Sequence, residues 1–237
     1  MGLSKRGAAA WGIVLLLVGG CGDPDRERAE ELFRQAREIH RRGEGDEEQR
    51  RQQIIARLKQ AIDLAPGLHP ARVSYALLLA DSGDYKAALR QVHRVPFGEP
   101  RKARVVALAS AGLFQLKRDP TLVDDVLGAL SEAGGSLTAA DRFTIARNLC
   151  EVPPGRIPGP VDAKALRAGI ALLQELTAPG REVPGDYRAY LGLALLKQGR
   201  RAEAAACFER ALADPDLSQR DQIARGLQAL RAELEGK

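Results

Sequence analysis

The sequence predicts an all-α fold of stacked helix pairs, about five of them, closed by a C-terminal capping helix. Three observations carry this. Leu and Ala dominate a chain of 237 residues that is 45% hydrophobic but only 4% aromatic. Those residues suit helices, whereas strands favour the scarce β-branched and aromatic types. Apolar residues recur at spacings of three and four, the period of a helix with one buried face. Breaks bearing Gly and Pro return regularly, giving helix, tight turn, helix, Pro. The apolar content suffices for a core, which excludes wholesale disorder.

The first element is an address. Lys5 and Arg6 precede the apolar run Ala8 to Val18, and Gly19 and Gly20 precede Cys21. A cationic start, an apolar middle and a small-residue site make residues 1–20 a secretory signal peptide. The run falls short of the roughly 20 apolar residues that a membrane span needs. Leu17-Val18-Gly19-Gly20-Cys21 resembles the lipobox of bacterial lipoproteins. The resemblance implies cleavage before Cys21, a thioether-linked diacylglycerol on it and N-acylation of the new terminus. Two or three acyl chains anchor stably, where one binds marginally at about 0.8 kcal/mol per buried CH₂. In enteric members of that family an Asp directly after the Cys retains the protein in the inner membrane. Here Gly22 holds that place and Asp23 follows, which implies the outer membrane, facing the periplasm. The periplasmic face of the inner membrane is the alternative. Loss of Lys5 and Arg6 lowers the formal charge from +5 to +3, too mild to indicate nucleic acid. Residues 21–28 read as a short, charged, lipidated tether.

The helical elements follow over residues 29–214. In the first unit, 29–66, Leu32, Ala36 and Ile39 form one stripe and Ile54, Leu58, Ala61 and Ile62 another. Gly43 and Gly45 separate them and Pro66-Gly67 stops the second. The run from Gly43 to Glu48 lacks the alternating ligands of a calcium loop. It reads as a solvated turn and an acidic helix start, which suits the helix dipole. The second unit, 69–96, runs Ala71 to Ala80, Ser82-Gly83-Asp84, Tyr85 to Val95 and Pro96. The third, 100–133, runs Val105 to Leu116, Asp119-Pro120 and Leu122 to Leu130, with Ala111 and Gly112 as its small residues. In the fourth, 137–177, Thr138 and Asp141 form a capping box that opens a helix to Cys150. Pro153, Pro154, Pro158 and Pro160 then break the chain before a helix from Asp162 to Leu176.

The fifth unit, 185–214, carries the fullest pattern. Arg188-x₂-Leu191-Gly192-x₂-Leu195 is followed by Lys197-Gln198-Gly199, Ala204-x₃-Phe208-x₂-Ala211 and Pro215. This resembles the tetratricopeptide repeat, W-x₂-L-G-x₂-Y, then A-x₃-F, then P, on a 34-residue period. Arg188 and Leu195 replace two aromatics, and Pro215 comes one residue early. The resemblance implies close helix approach at Gly192 and Ala204, with Phe208 filling the gap. The same frame puts Ala76 at the Gly192 place, Gly83 at the turn and Ala88 at the Ala204 place. Within the last segment, 215–237, a helix from about Leu217 to Leu234 spaces Ile223, Leu227, Leu230 and Leu234 by fours and threes. It is expected to cap the last unit's open face, as solenoids require. A coiled-coil seam is the alternative, but the run is shorter than the three heptads that one needs.

A stack of such pairs curves into a concave surface lined by first helices. By repeat position that surface should carry Val73, Leu77 and Asp81 in one unit and Ala189, Tyr190, Leu193 and Lys197 in another. Leu77 and Leu193 read equally well as core, because apolar helix stripes are usually buried. Enzyme signatures are missing. His40, His69 and His93 are widely separated and join no HxxxH or HExxH pattern, and no GxSxG, Walker lysine or GxGxxG occurs. Asp124 and Asp125 diverge by about 100° on a helix, so they do not converge as paired acids. Cys207 beside Phe208 reads as a small packed hydrophobe, and whether it pairs with Cys150 stays open. No metal is expected, and no cofactor beyond the covalent diacylglycerol and N-acyl lipid on Cys21. Aromatics to stack bases are few. The expected role is non-enzymatic: an anchored scaffold for protein partners of the cell envelope, with a small-molecule substrate disfavoured. It resembles the helical-repeat lipoproteins of pilus assembly, secretion and outer-membrane protein insertion. The alternative is an accessory module presenting a peptidoglycan or polysaccharide enzyme or its substrate. Arg41-Arg42 and Arg50-Arg51, near the tether in sequence, offer a lesser route to anionic head groups.

Overall fold

Residues 24–42 become a helix for local reasons. The Asp23 carboxylate accepts from the Asp25 N–H at 3.1 Å, Pro24 sits where a helix tolerates Pro, and Gly43 ends it in the left-handed region at φ 65°. This is α1 (Pro24–Arg42) in the computed structural model, which describes residues 23–43, 45–99, 101–151 and 159–236 (the side chains of 160 and 161 excepted). The signal segment, Cys21 and the Pro/Gly run 152–158 lie outside the described residues. The tether is shorter than residues 21–28 suggest, because 24–28 belong to α1. Those residues lack an apolar stripe and take their helicity from the cap and the Arg26–Glu30 pair at 3.1 Å.

Ten further α-helices follow among the described residues: α2 (Glu47–Leu64), α3 (His69–Asp81), α4 (Tyr85–Val92), α5 (Lys102–Lys117), α6 (Pro120–Ala133), α7 (Ala139–Cys150), α8 (Pro160–Leu176), α9 (Gly185–Lys197), α10 (Arg201–Leu212) and α11 (Arg220–Glu235). The fold is all-α. Asp46, Asp84 and Asp119 cap α2, α4 and α6. The Thr138–Asp141 box opens α7, with the Asp141 N–H donating to Thr138 Oγ1 at 3.1 Å and the Thr138 N–H to Asp141 Oδ2 at 2.8 Å. His69 is the first residue of α3.

Neighbouring helices run antiparallel. Arg51 at the start of α2 donates to the Leu78 carbonyl near the end of α3 at 3.1 Å. Arg72 at the start of α3 donates to Gln91 at the end of α4 at 2.9 Å. Lys102 at the start of α5 donates to the Val95 carbonyl just past α4 at 2.7 Å. Odd-numbered helices therefore begin along one edge of the stack and even-numbered helices along the other. The turns inside the second and fifth units are the same structure. The Asp84 N–H reaches back to Leu79 O at 2.9 Å and the Arg200 N–H to Leu195 O at 3.0 Å, around Gly83 and Gly199 at φ 81° and 77°. That bond to the carbonyl five residues back, around a left-handed glycine, is the Schellman ending.

In the third unit Arg118 takes the left-handed place at φ 58°, which costs a non-glycine residue about 1–2 kcal/mol. Its side chain explains the choice. The buried guanidinium lies 3.4 Å from Asp162 of α8 and 4.8 Å from the centre of the Phe114 ring.

The core changes along the stack. A small cluster built on Ala29, Ala36, Ile54, Leu58, Ala61 and Ala71 holds α1 and α2 to α3. A second, including Val73, Ala76, Ala88, Val92 and Val105, holds α3 to α5. One continuous cluster then runs from α5 to α11. The close approach at Gly192 is as expected, since a Cβ there would lie 2.5 Å from the Phe208 ring. Gly112 meets the Tyr85 ring and Gly169 meets Cys150 Sγ in the same way. The capping helix starts at Arg220, slightly later than expected. Ile223, Leu227 and Leu230 are buried in the shared core against α10, which leaves no coiled-coil seam, and Leu234 is exposed. No described helix is long and apolar enough to cross a membrane.

Candidate groove along the first helices

First helices touch one another directly: α3 packs on α5, α5 on α7 and α7 on α9. Their polar side chains join across these contacts. Arg104 of α5 pairs with Asp141 of α7 at 3.0 Å. Gln115 at the far end of α5 donates to Glu151, which follows α7. Tyr190 of α9 donates to the other Glu151 oxygen at 3.0 Å, and Lys197 donates to the Cys150 carbonyl at 2.9 Å. The lysine thereby caps the C-terminal end of α7, where carbonyls are unsatisfied. Phe143 of α7 stacks on Tyr187 of α9 at 4.1 Å between centroids, with Tyr190 edge-on at 5.7 Å.

The residues expected on this surface divide into three groups. Val73 and Ala189 are 0% and 6% exposed and belong to the core. A rotation of one residue, about 100°, separates the groove side of a helix from its core side, and sequence alone placed these two on the wrong side. Leu77 and Tyr190 are half-buried. Asp81, Leu193 and Lys197 are exposed, Leu193 to 42%. Tyr190 and Lys197 are brought together at the Glu151 end of α7. Leu77 packs partly against the core, and Asp81 lies within reach of the Arg104 and Asp141 charges.

Several ionisable groups in this half of the stack and near it are shifted upward. Loss of solvent pushes the Asp81 carboxyl above its usual range, and the pull of Arg104 and Arg51 offsets this only in part. Raised in the folded state, Asp81 costs stability as pH rises through its folded value. Burial, and then the Glu151 charge, push the Tyr190 phenol up, so it stays a donor. Burial also pushes the Cys150 thiol up to about 12, and raises Cys207. Both cysteines are free. They are poor nucleophiles, since the thiolate is the reactive form.

Sequence reasoning missed Arg104, Gln115, Asp141, Phe143, Glu151 and Tyr187 as groove residues. The available signal was their position on the first helices of the third to fifth units, or directly after one in the case of Glu151. Among the described residues no group of three or more His, Cys, Asp or Glu side chains is placed to hold a metal ion.

No protein-family model and no curated protein matches this chain. Solved structures do match. A thermophilic TPR protein of Thermus thermophilus, TTC0263, is 16% identical with a TM-score of 0.51, covering 86% of this chain and 99% of that one. The MamA RS-1 ArsTM double mutant is 16% identical with a TM-score of 0.52, covering 79% of this chain and 94% of that one. At this identity the likeness speaks to architecture alone. Together with the Schellman turns and the Gly192–Phe208 contact, it identifies the chain's fold as a tetratricopeptide-like helical-repeat solenoid.

Proposed function

We propose that this protein is a lipid-anchored, periplasmic, non-enzymatic scaffold that holds partner proteins of the cell envelope along the first-helix groove. The observation that carries the reading is the set of cross-helix links from Arg104–Asp141 to Glu151–Tyr190 and Lys197. They fix the groove floor and leave Leu193 open beside it. A prefixed surface lowers the ordering cost of binding an extended segment or a partner helix. The lipobox-like ending at Cys21 and the Gly22 after it support anchorage in the outer membrane. Pilus assembly, secretion and other envelope assemblies are the systems that this reading addresses. The glycan-presenting alternative is weaker, because Phe143, Tyr187 and Tyr190 spend their ring faces and edges on one another.

The test is mild in-cell crosslinking of the tagged protein, with mass spectrometry of what co-purifies, on wild type, Cys21→Ala and the double variant Leu77→Ala/Leu193→Ala. The expected result is one envelope assembly recovered with wild type and weakened without the anchor. The double variant should lose it while unfolding at nearly the same temperature. Loss of both binding and thermal stability assigns the leucines to the core. Recovery of no specific protein in any sample overturns the scaffold.

A further inference from the structure

Phe97 is 87% exposed, the most exposed large apolar side chain of the described residues. It stands between α4 and α5, on the edge where odd-numbered helices, α1 included, begin. Arg90, Arg94, Arg101 and Lys102 surround it in sequence, against the single acid Glu99. The Lys102 ammonium lies 4.6 Å from the centre of the Phe97 ring. Solvent exposure of a large ring amid cations is unfavourable in water and suits a surface that is apolar below and anionic above.

A second observation lies on the same edge. A cleft of about 460 Å³ between α2, α3 and α4 is lined by Lys59, Asp63, Pro66, Arg72, Gln91 and Arg94, among others. Arg72 is 5% exposed. Its guanidinium donates only to neutral oxygens, Gln91 Oε1 at 2.9 Å and Pro66 O at 3.0 Å, and its Nε has no hydrogen-bond partner among the described residues. No described carboxylate lies within ion-pair distance of Lys59, Arg72 or Arg94. A buried cation without a directly bonded counter-charge is costly. Burial, and then Arg94, lower the affinity of Arg72 for its proton, and the Asp63 carboxylate across the cleft opposes this without bonding it. An anion in the cleft would supply a direct partner.

We propose that this edge docks on an anionic phospholipid bilayer, with lipid phosphate in the Lys59–Arg72–Arg94 cleft and the Phe97 ring at the boundary of head groups and acyl chains. Its orientation rests on the anchored reading above. The arginine pairs near the tether do not compete for the role. Arg41 and Arg42 both bond Glu38, at 2.6 and 2.9 Å, at the opposite edge, about 28 Å away at 1.5 Å of rise per residue.

The test uses the full chain with Trp11→Phe and Phe97→Trp, so that the one indole stands at position 97. It is mixed with vesicles of brominated phosphatidylglycerol in phosphatidylcholine, and with vesicles of brominated phosphatidylcholine alone. Bromine quenching and a blue shift in the anionic vesicles are the expected result. Adding Arg94→Glu, at an exposed site, should weaken the effect about fivefold or more, the loss of one cation near an anionic surface. Unquenched indole overturns the proposal, and so does quenching that ignores lipid charge and Arg94. An indole silent toward lipid but shifted by a protein partner assigns the edge to protein and also overturns it. The intact mass of the same preparation reads acylation of Cys21 separately. An acylated but unquenched chain defeats the docking surface alone. An unacylated but quenched chain supports docking and defeats the anchor.

Discussion

The first and last helix pairs reach the same architecture from opposite ends. In α1 nearly every helical signal is local: an Asp cap, Pro at the first position, a left-handed Gly at the end, and ion pairs of Glu31 with Arg34 and of Glu38 with Arg41 and Arg42. Its buried residues are alanines. In α9 the local signals are poor. No side chain caps its start, Gly192 interrupts its middle, and apolar residues lie around much of its circumference. Packing makes α9 helical, through Phe208 against Gly192 and a core shared with every element from α5 to α11. Local signals secure a helix that little else holds. Burial secures one that local chemistry would not.

The contrast can be broken most severely from the C-terminal side. Phe208→Ala is expected to cost about 3–5 kcal/mol and to loosen α5 to α11 together, read as a lower urea midpoint by circular dichroism. Leu58→Ala should cost about 2–3 kcal/mol, the lower part of the usual Leu→Ala range, because it touches only the small N-terminal cluster. Amide exchange should rise in α1, α2 and the start of α3 and stay unchanged beyond α5. Uniform exchange would show that the two ends unfold as one unit and erase the comparison.

Two helical glycines sharpen it. Gly192→Ala meets the Phe208 ring and should destabilise by about 1–2 kcal/mol, an overpacking cost reduced by the better helix propensity of Ala. Gly226→Ala in α11 meets nothing within 4 Å and should stabilise by about 0.5–1 kcal/mol. Thermal melts of the two variants should therefore move in opposite directions.

The smallest effects concern exposed charge. Asp214 is held below the usual carboxylate range, first by the Gly185 N–H and then by the Asp216 N–H. A lowered folded value contributes stability above the unfolded pKa and loses it as pH falls through the folded one. Asp214→Asn should flatten the fall in melting temperature below about pH 4. Glu31→Gln should leave the unfolding midpoint unchanged at physiological salt, because exposed pairs on one helix are screened.

Much of the molecule was legible in its residues. The Gly83 and Gly199 turns, the Thr138–Asp141 box and the Gly192–Phe208 contact all follow from local rules that act within a few residues or within one repeat. Residues 24–28 read as tether in the sequence because they lack an apolar stripe, and periodicity detects only stripes. The groove was half legible. Repeat position marked Tyr190, Leu193 and Lys197, but it also marked Val73 and Ala189, which turn into the core.

Only the tertiary structure decided how the five pairs stack. It put Arg118 in a left-handed conformation to reach Asp162, joined Glu151 to Tyr190 across 39 residues, and left Phe97 bare on the edge that also holds the buried Arg72. The physical reason is range. Caps, turns and stripes are set by neighbours three to five residues away, so one sequence states them. Ion pairs between units depend on the angle at which whole helices meet, and that angle is the sum of many side-chain contacts that no single position records.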